Sequence, residues 1–495
     1  MPDAFRKTLA ALGGWGLQQA GKTQFLCLAQ DMKRLSRNGQ HASRETTRQE
    51  RLAHLLNGAI TTPFHQERLS GVGLPITDVH PQDAFSVLQQ LKPVRKTDIR
   101  KRFPEGVVTV DRGDNRSYLS TSGTTGERFT VVSNFFKRDV VRALVLHTMH
   151  VSTGEQYGFR MVDIPPNACN TVCGLDGPPI TSWYELIKQG ASRKSFKSTK
   201  FKSDLHGMFQ RRILFVEDVL APIDARNQGD LVLQLSDLWT TLSRLHPKLL
   251  RAFPQYLLWL AESQPDRLRY GDDAKGYCAP YGGLACPQML QRVGRSLSMH
   301  TRNMYGTSEV GPIAAACNNQ HSMHIFEDWF IVEIMRDDQP VQDGEIGEIA
   351  ITDLSNTAMP LIRYYVGDVG RIVGRACECG SDTQKVEVLG RIHETITQRE
   401  QWVTAAQIGD AAYIDDGVSN FRVDEVSKNH FELQIVPSLL GIEPDMDSIH
   451  DRFTQLFQEP VRARCRKVAF LPPESTGKFL TCRLKPASTN VRVLA

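Results

Sequence analysis

The chain has 495 residues, 41% of them hydrophobic and 23% charged, with a formal net charge of +4. That length exceeds one ordinary hydrophobic core and implies two or three domains of globular composition. So small a net charge gives no electrostatic case for nucleic acid as a partner, and no apolar run approaches the ~20 residues needed to span a bilayer.

Residues 1–60 read as polar and helical, with Leu9, Leu12, Leu17, Phe25, Leu26, Leu28 and Met32 at irregular helical spacing. A helical cap and a partner-binding arm are both compatible with that pattern. Arg6 and Lys7 precede an apolar stretch broken by glycines, and no secretory pattern follows. The ten cysteines are scattered, which suits a reducing cytoplasm better than a disulfide scaffold. Further on, β runs at 106–110, 130–132, 212–216 and 330–334 alternate with helical stretches at 138–149, 231–245 and 256–263. Such alternation predicts an α/β domain with largely parallel sheets. Runs at 345–351 and 370–373 suit a small β subdomain. The residues after Arg391 carry their own patterns at 419–423, 431–435 and 449–457, enough for an independent α+β domain. The expected organisation is a helical N-terminal segment (1–60), a large domain of parallel-rich sheets with helices (61–391) and a small C-terminal domain (392–495).

Five motifs carry chemistry. Residues 120–126 read Ser-Thr-Ser-Gly-Thr-Thr-Gly. Two glycines let backbone close around an anion, and the hydroxyls of Ser120, Thr121, Ser122, Thr124 and Thr125 can donate to phosphate oxygens. The loop is not of Walker type, because no Lys-Ser or Lys-Thr pair follows Gly126. Downstream come NMYGTSEVG (303–311), PLIRYYVGDVG (360–370), LGRIHETI (389–396) and STGK (475–478). A basic stretch at 188–202 with Arg193, Lys194, Lys197 and Lys200 is either a solvated loop or an anion site for a nucleotide phosphate or an acidic carrier.

In this order the motifs resemble the adenylate-forming superfamily of acyl-CoA synthetases, adenylation domains and luciferases. LKPVRKTDIRKRFPEG (91–106), MHIFEDWF (323–330), TAMPLIRYYVGD (357–368) and the CECG pair (377–380) resemble its phenylacetate–CoA ligase branch. The resemblance covers roughly residues 60–485 and implies ATP-dependent, AMP-forming activation of a carboxylic acid with Mg²⁺. Two anions must then meet, so the site needs cations and aligned donors. By resemblance Ser120, Thr121, Ser122, Gly123, Thr124, Thr125 and Gly126 hold the β- and γ-phosphates. The family often has a lysine next, where Glu127 and Arg128 stand here. Tyr305, beside Gly306, offers a flat ring to adenine. Ser308 would bond the α-phosphate and Glu309 would hold Mg²⁺. Asp368 would accept from the ribose hydroxyls, and Arg391 would contact ribose or phosphate. Gly282 and Gly283 would let adenine lie against backbone, although Leu284 replaces the usual acid. Lys478 matches the lysine that the family's mobile C-terminal domain inserts at the α-phosphate, with a hinge near residues 392–394.

Cys317, His324, Cys377 and Cys379 form a Cys₃His set of the kind that closes around structural Zn²⁺, tighter than usual at Cys-x-Cys, with His321 as a competing ligand. Some ligases of the branch show a similar arrangement; the alternative is reduced cysteines with His324 in the core. Where relatives have a glycine bordering the pantetheine tunnel, this chain has Glu400, and His393 replaces a common hinge aspartate. Three readings follow: a carboxylate–CoA ligase for an aromatic or small acyl acid, the same adenylation followed by transfer to an amine or a carrier-protein thiol, or a nucleotide-binding relative without catalysis. Aromatic residues such as Phe136, Trp183, Tyr184 and Tyr281 are available to line an acid pocket. A homodimer is expected by analogy alone.

Overall fold

The computed structural model describes residues 24–37, 39–73, 78–109, 116–121, 129–155, 157–165, 205, 208–210, 214–263, 276–317, 322–474 and 477–485. Five strands, Phe215–Val219, Phe159–Ile164, Leu249–Ala252, Tyr277–Pro280 and His300–Thr301, lie side by side in that order and are all parallel. Parallel strands need crossovers, which the helices Gln228–Leu245 and Pro287–Leu297 supply here. The first begins where the Asn227 side chain accepts from the Asp230 N–H. The second opens on Pro287, whose missing N–H costs nothing in a first turn. Every residue of Tyr277–Pro280 is buried, as expected of a strand covered on both faces.

A second sheet has eight strands and is antiparallel throughout. At its centre Gly347–Asp353, Tyr364–Ile372 and Lys385–Arg391 run side by side. The helix Phe135–Thr153 buries Val140, Ala143, Leu144, Leu146 and Met149 in the core that this sheet shares. Into the same core the helix Gln24–Leu35 inserts Phe25, Ala29 and Met32, residues one helical turn apart. The described part of the N-terminal segment therefore caps the large domain. Arg44 fastens it, reaching Glu327 at 3.1 Å and Asp382 at 2.7 Å.

The α/β class with a parallel sheet is as the sequence indicates. The run at 106–110 is different: residues 106–109 form a turn and an irregular segment after the helix Lys96–Arg102. Gly106 N–H donates to Arg102 O at 2.8 Å and Thr109 N–H to Ala358 O at 2.9 Å. Those bonds go to a helix end and a loop, so the β-branched residues there have no strand to pair with.

The C-terminal part folds around a four-stranded sheet in the order Arg462–Lys467, His430–Pro437, Val418–Ser427, Cys482–Arg483. Its helices are Ala405–Tyr413 and Met446–Thr454, and a hairpin of Ile396–Gln398 with Gln401–Val403 precedes them. Phe421, Leu433, Ile435 and Tyr413 share one apolar cluster with Tyr256, Leu260, Met289 and Val293 of the large domain. At the junction Gly390 has φ +130°, and a Cβ there would lie 2.7 Å from the Ala405 methyl group. Among the described residues no helix is long and apolar enough to cross a membrane.

Candidate active site

The Tyr-Gly motif is a tight antiparallel hairpin, Met304–Thr307 against Gly311–Ala315. A side chain at Gly306 would strike Gly311 O at 2.7 Å, so only glycine lets the strands approach here. Tyr305 is buried, and its hydroxyl donates to Asp368 Oδ2 at 2.8 Å. Burial, then the neighbouring Asp368 carboxylate, raises the Tyr305 pKa well above its ordinary value and keeps the phenol neutral. Asp368 faces Arg391 across neighbouring strands. Its other oxygen, Oδ1, lies 3.1 Å from Arg391 Nε, while Arg391 Nη1 donates to Val366 O at 3.3 Å. Gly367 adopts φ +82° just before the aspartate, a conformation that favours glycine. Asp368 is thus clamped from two sides, with its carboxylate countered by a guanidinium held charged chiefly by that same aspartate.

Glu309 sits in the turn of the hairpin, 4.0 Å from Lys96 Nζ. Lys96 went unrecognised as a site residue, although it lies in the LKPVRK stretch. Its position depends on long-range pairing: Val94 N–H donates to Arg363 O at 2.9 Å, and Tyr365 N–H returns a bond to Val94 O at 2.9 Å. Arg95 adds a bidentate pair to Glu348 at 2.9 Å. Lys96 Nζ also lies 5.2 Å above the Phe129 ring, which stacks on Tyr364 at 6.0 Å. Burial is the main cause that lowers the Lys96 pKa, opposed by Glu309. Ser122, Gly123, Thr124, Thr125 and Gly126, with Glu127 and Arg128, lie outside the described residues, as do His321, Trp183, Tyr184 and the basic stretch. The loop's two anchors are described: Ser120 and Thr121 end the strand Arg116–Thr121, and Thr121 pairs with Phe129. The loop therefore springs from the end of the hairpin that carries Phe129. Ser308 is exposed at the same turn, and the buried Thr307 Oγ1 has no hydrogen-bond partner among the described residues.

Gly282 and Gly283 follow the strand Tyr277–Pro280, Gly282 with φ +79°. A Cβ at Gly283 would fall 2.6 Å from the Phe253 ring, so this glycine admits an aromatic side chain from the neighbouring strand end. The Tyr281 ring lies under Arg251, 4.9 Å away. Phe136 is 37% exposed, its ring 6.0 Å from Trp329.

The C-terminal lysine precedes a residue packed on the large domain. Lys478 follows Gly477 (φ +73°), and its carbonyl accepts from Glu474 N–H at 2.7 Å. The next residue, Phe479, wedges between Phe253 at 5.8 Å and Trp259 at 5.3 Å. His393, within the segment 392–394 expected as the hinge, has its pKa lowered by burial first, with the charges of Arg391 and Lys478 acting in the same direction. Glu394 is buried, accepts from Thr481 N–H at 2.8 Å, and burial pushes its pKa up to about 7.

Around the interior strand Met323–Ile325 of the eight-stranded sheet, ligand atoms of Cys317, His324, Cys377 and Cys379 all lie within 4.8 Å of one another. Cys317 and Cys377 sulfurs are 3.5 Å apart, and Cys379 Sγ is 3.3 Å from His324 Nε2. The other ring nitrogen, His324 Nδ1, pairs with Thr383 Oγ1 at 3.0 Å, which orients the imidazole towards the sulfurs.

No protein-family model matches the chain. It is 25% identical over 357 residues to the phenylacetate-coenzyme A ligase of Thermus thermophilus, covering 70% of this chain and 69% of that one. Identity to the phenylacetate-coenzyme A ligase of Escherichia coli is 34% over 327 residues, 63% of each chain. Among solved structures, a 2-hydroxyisobutyryl-CoA ligase in the postadenylation state, with its acyl-AMP, matches with TM-score 0.65 at 17% identity, covering 91% of each chain. The same ligase in its thioesterification state, with CoA, matches at 0.53. At that identity the likeness is one of fold.

Proposed function

We propose that this chain, a relative of the phenylacetate–CoA ligases with the fold of the adenylate-forming enzymes, activates an aromatic or small acyl acid with ATP and passes the acyl group to CoA. The observation that carries the reading is the clamp on Asp368, with Tyr305 on one oxygen and Arg391 on the other. A carboxylate held in this way suits acceptance of hydrogen bonds from two ribose hydroxyls. Lys96, Arg391 and Lys478 supply positive charge where a carboxylate oxygen must attack the α-phosphorus as its bond to pyrophosphate breaks. In the second step a CoA thiolate attacks the acyl carbonyl and AMP leaves.

Ser308 and the Thr307 hydroxyl, which has no partner among the described residues, would donate to phosphate oxygens, and Ser120–Gly126 would take the β- and γ-phosphates. Glu309 would hold Mg²⁺, a hard cation suited to its carboxylate, which would neutralise phosphate charge. The Cys₃His cluster has the donor chemistry of a structural Zn²⁺ site and would tie the loop between the Asp368 and Arg391 strands to the sheet. These thiols and the demand for ATP favour the cytoplasm.

Carboxylate-dependent ATP–pyrophosphate exchange across a panel of aryl, short acyl and amino acids tests the reading; exchange with none of them would refute it. A second acceptor class, an amine or a carrier-protein thiol, is favoured by one observation. Glu400 is exposed at the hairpin tip between Gln398 and Gln401, where a glycine would leave the pantetheine path open. Adding CoA, amines or carrier protein to the exchanging enzyme separates the two, and Glu400→Gly should raise CoA turnover if that path is narrowed.

A further inference from the structure

We propose that Glu262 and Arg292 are positioning residues that latch the C-terminal domain in its adenylating orientation and so keep Lys478 at the nucleotide site. The proposal rests on the adenylating reading above and deepens it. Both residues belong to the large domain, Glu262 on the helix Pro254–Ser263 and Arg292 on the helix Pro287–Leu297. They bond each other at 2.7 Å and are only 3% and 5% exposed.

Around this pair is wrapped the turn of the C-terminal domain that follows the helix Ala405–Tyr413. Arg292 Nη1 donates to Val418 O at 2.6 Å, Nη2 to Asp416 O at 3.0 Å, and Nε lies 3.2 Å from the Asp416 carboxylate. Glu262 Oε2 accepts from Ser419 Oγ at 2.6 Å and from Leu439 N–H at 3.3 Å. Gln255, on the same helix as Glu262, donates to Ser419 O at 2.8 Å and accepts from Tyr413 Oη at 3.2 Å. With Asp415 O, 3.3 Å from Nη1, four acceptors of the guanidinium are oxygens of one turn, three of them backbone, so Arg292 reads the turn's shape.

The link to chemistry runs through the helix Pro254–Ser263. Its Trp259 touches Phe479, the residue after Lys478, while its Glu262 holds Ser419. One rigid element thus fixes both the lysine and the turn. When the domain leaves, Glu262 and Arg292 keep each other and rehydrate, so the pair itself leaves no unpaired charge behind.

The test separates half-reactions. In Arg292→Ala, ATP–pyrophosphate exchange with phenylacetate, or with whichever acid of the panel supports it, should fall at least tenfold. CoA thioester formation from the supplied acyl-adenylate should stay within about twofold of the unaltered enzyme. Arg292→Lys should recover part of the exchange, and Ser419→Ala, the milder change from the other side, should lower it several-fold. Equal loss of both half-reactions in folded variants, or no loss in either, overturns the proposal. Spin labels on the two domains give a readout without substrates: Arg292→Ala, or Ser419→Ala if the former does not fold, should broaden the interdomain distances. An unchanged distribution overturns the latch even if no acid is ever activated, and a broadened one without exchange would overturn only the catalytic reading.

Discussion

Asp368 and Arg391 stand directly opposite each other on neighbouring antiparallel strands, their side chains 3.1 Å apart. The strand that ends at Arg391 leads straight into residues 392–394, the segment proposed as the hinge, so the residue that steadies the aspartate is also the last on the sheet before the C-terminal part.

Replacing Asp368 by Asn keeps the shape and removes the charge that Tyr305 and Arg391 both address. Hydrogen bonds to charged groups contribute about 1.5–3 kcal/mol, so acid-dependent pyrophosphate exchange should drop roughly 10- to 100-fold. The loss should appear largely in KM for ATP, and an unchanged KM would argue against a ribose contact.

Lys478→Ala should abolish adenylate formation and spare transfer from preformed acyl-adenylate to CoA. Stopped assays of the two half-reactions decide it, and loss of both to the same degree would contradict the role.

The interface offers a covalent lock. A Cβ at Gly409 would lie 3.4 Å from Cys286 Cβ, close to the ~3.5–4.5 Å found across disulfides. Gly409→Cys treated with diamide should therefore keep pyrophosphate exchange and lose CoA thioester formation, with recovery on reduction by dithiothreitol. Adding Cys286→Ala should remove that reversible, diamide-dependent loss.

Glu394 makes stability depend on pH. Burial raises its pKa from 4.5 to about 7, so the native chain holds this proton when the unfolded chain has released it. Stability from this group is therefore full below 4.5 and falls as pH rises to about 7. At ~1.4 kcal/mol per pH step the difference is on the order of 3 kcal/mol. Glu394→Gln should have a melting temperature that gains on the unaltered protein between pH 5 and pH 8, and parallel curves would refute the assignment.

Zinc content is directly measurable. Purified protein should carry about one equivalent, Cys379→Ser should carry less, and chelation should lower the melting temperature. Metal analysis without zinc in protein prepared free of chelators would leave reduced cysteines beside a core histidine.

Much of this site is legible because each motif packs its functional groups into a few residues. Tyr305, Ser308 and Glu309 share one hairpin, and Asp368 follows a glycine that the strand needs. Lys96 escaped notice because its role depends on Val94 meeting Arg363 and Tyr365, a contact between segments remote in sequence. Glu262 and Arg292 each read as an ordinary polar residue on an amphipathic helix, and nothing local signals that a second domain buries them. The run at 106–110 misleads for the opposite reason: its β-branched residues favour a strand locally, but the backbone finds its partners in a helix end and a loop.

The contact between Gly390 and Ala405 makes these two positions a matched pair across the junction. Their combined size has a ceiling of one methyl group whenever the domains are together. Drift at either position is thereby tied to the other: a larger residue at 405 survives only where the hinge strand gives way, and Gly390 cannot change at all while Ala405 stays. Related chains should vary at the two positions jointly, and a graft of the C-terminal domain from a relative should be made upstream of Gly390 so that both partners travel together.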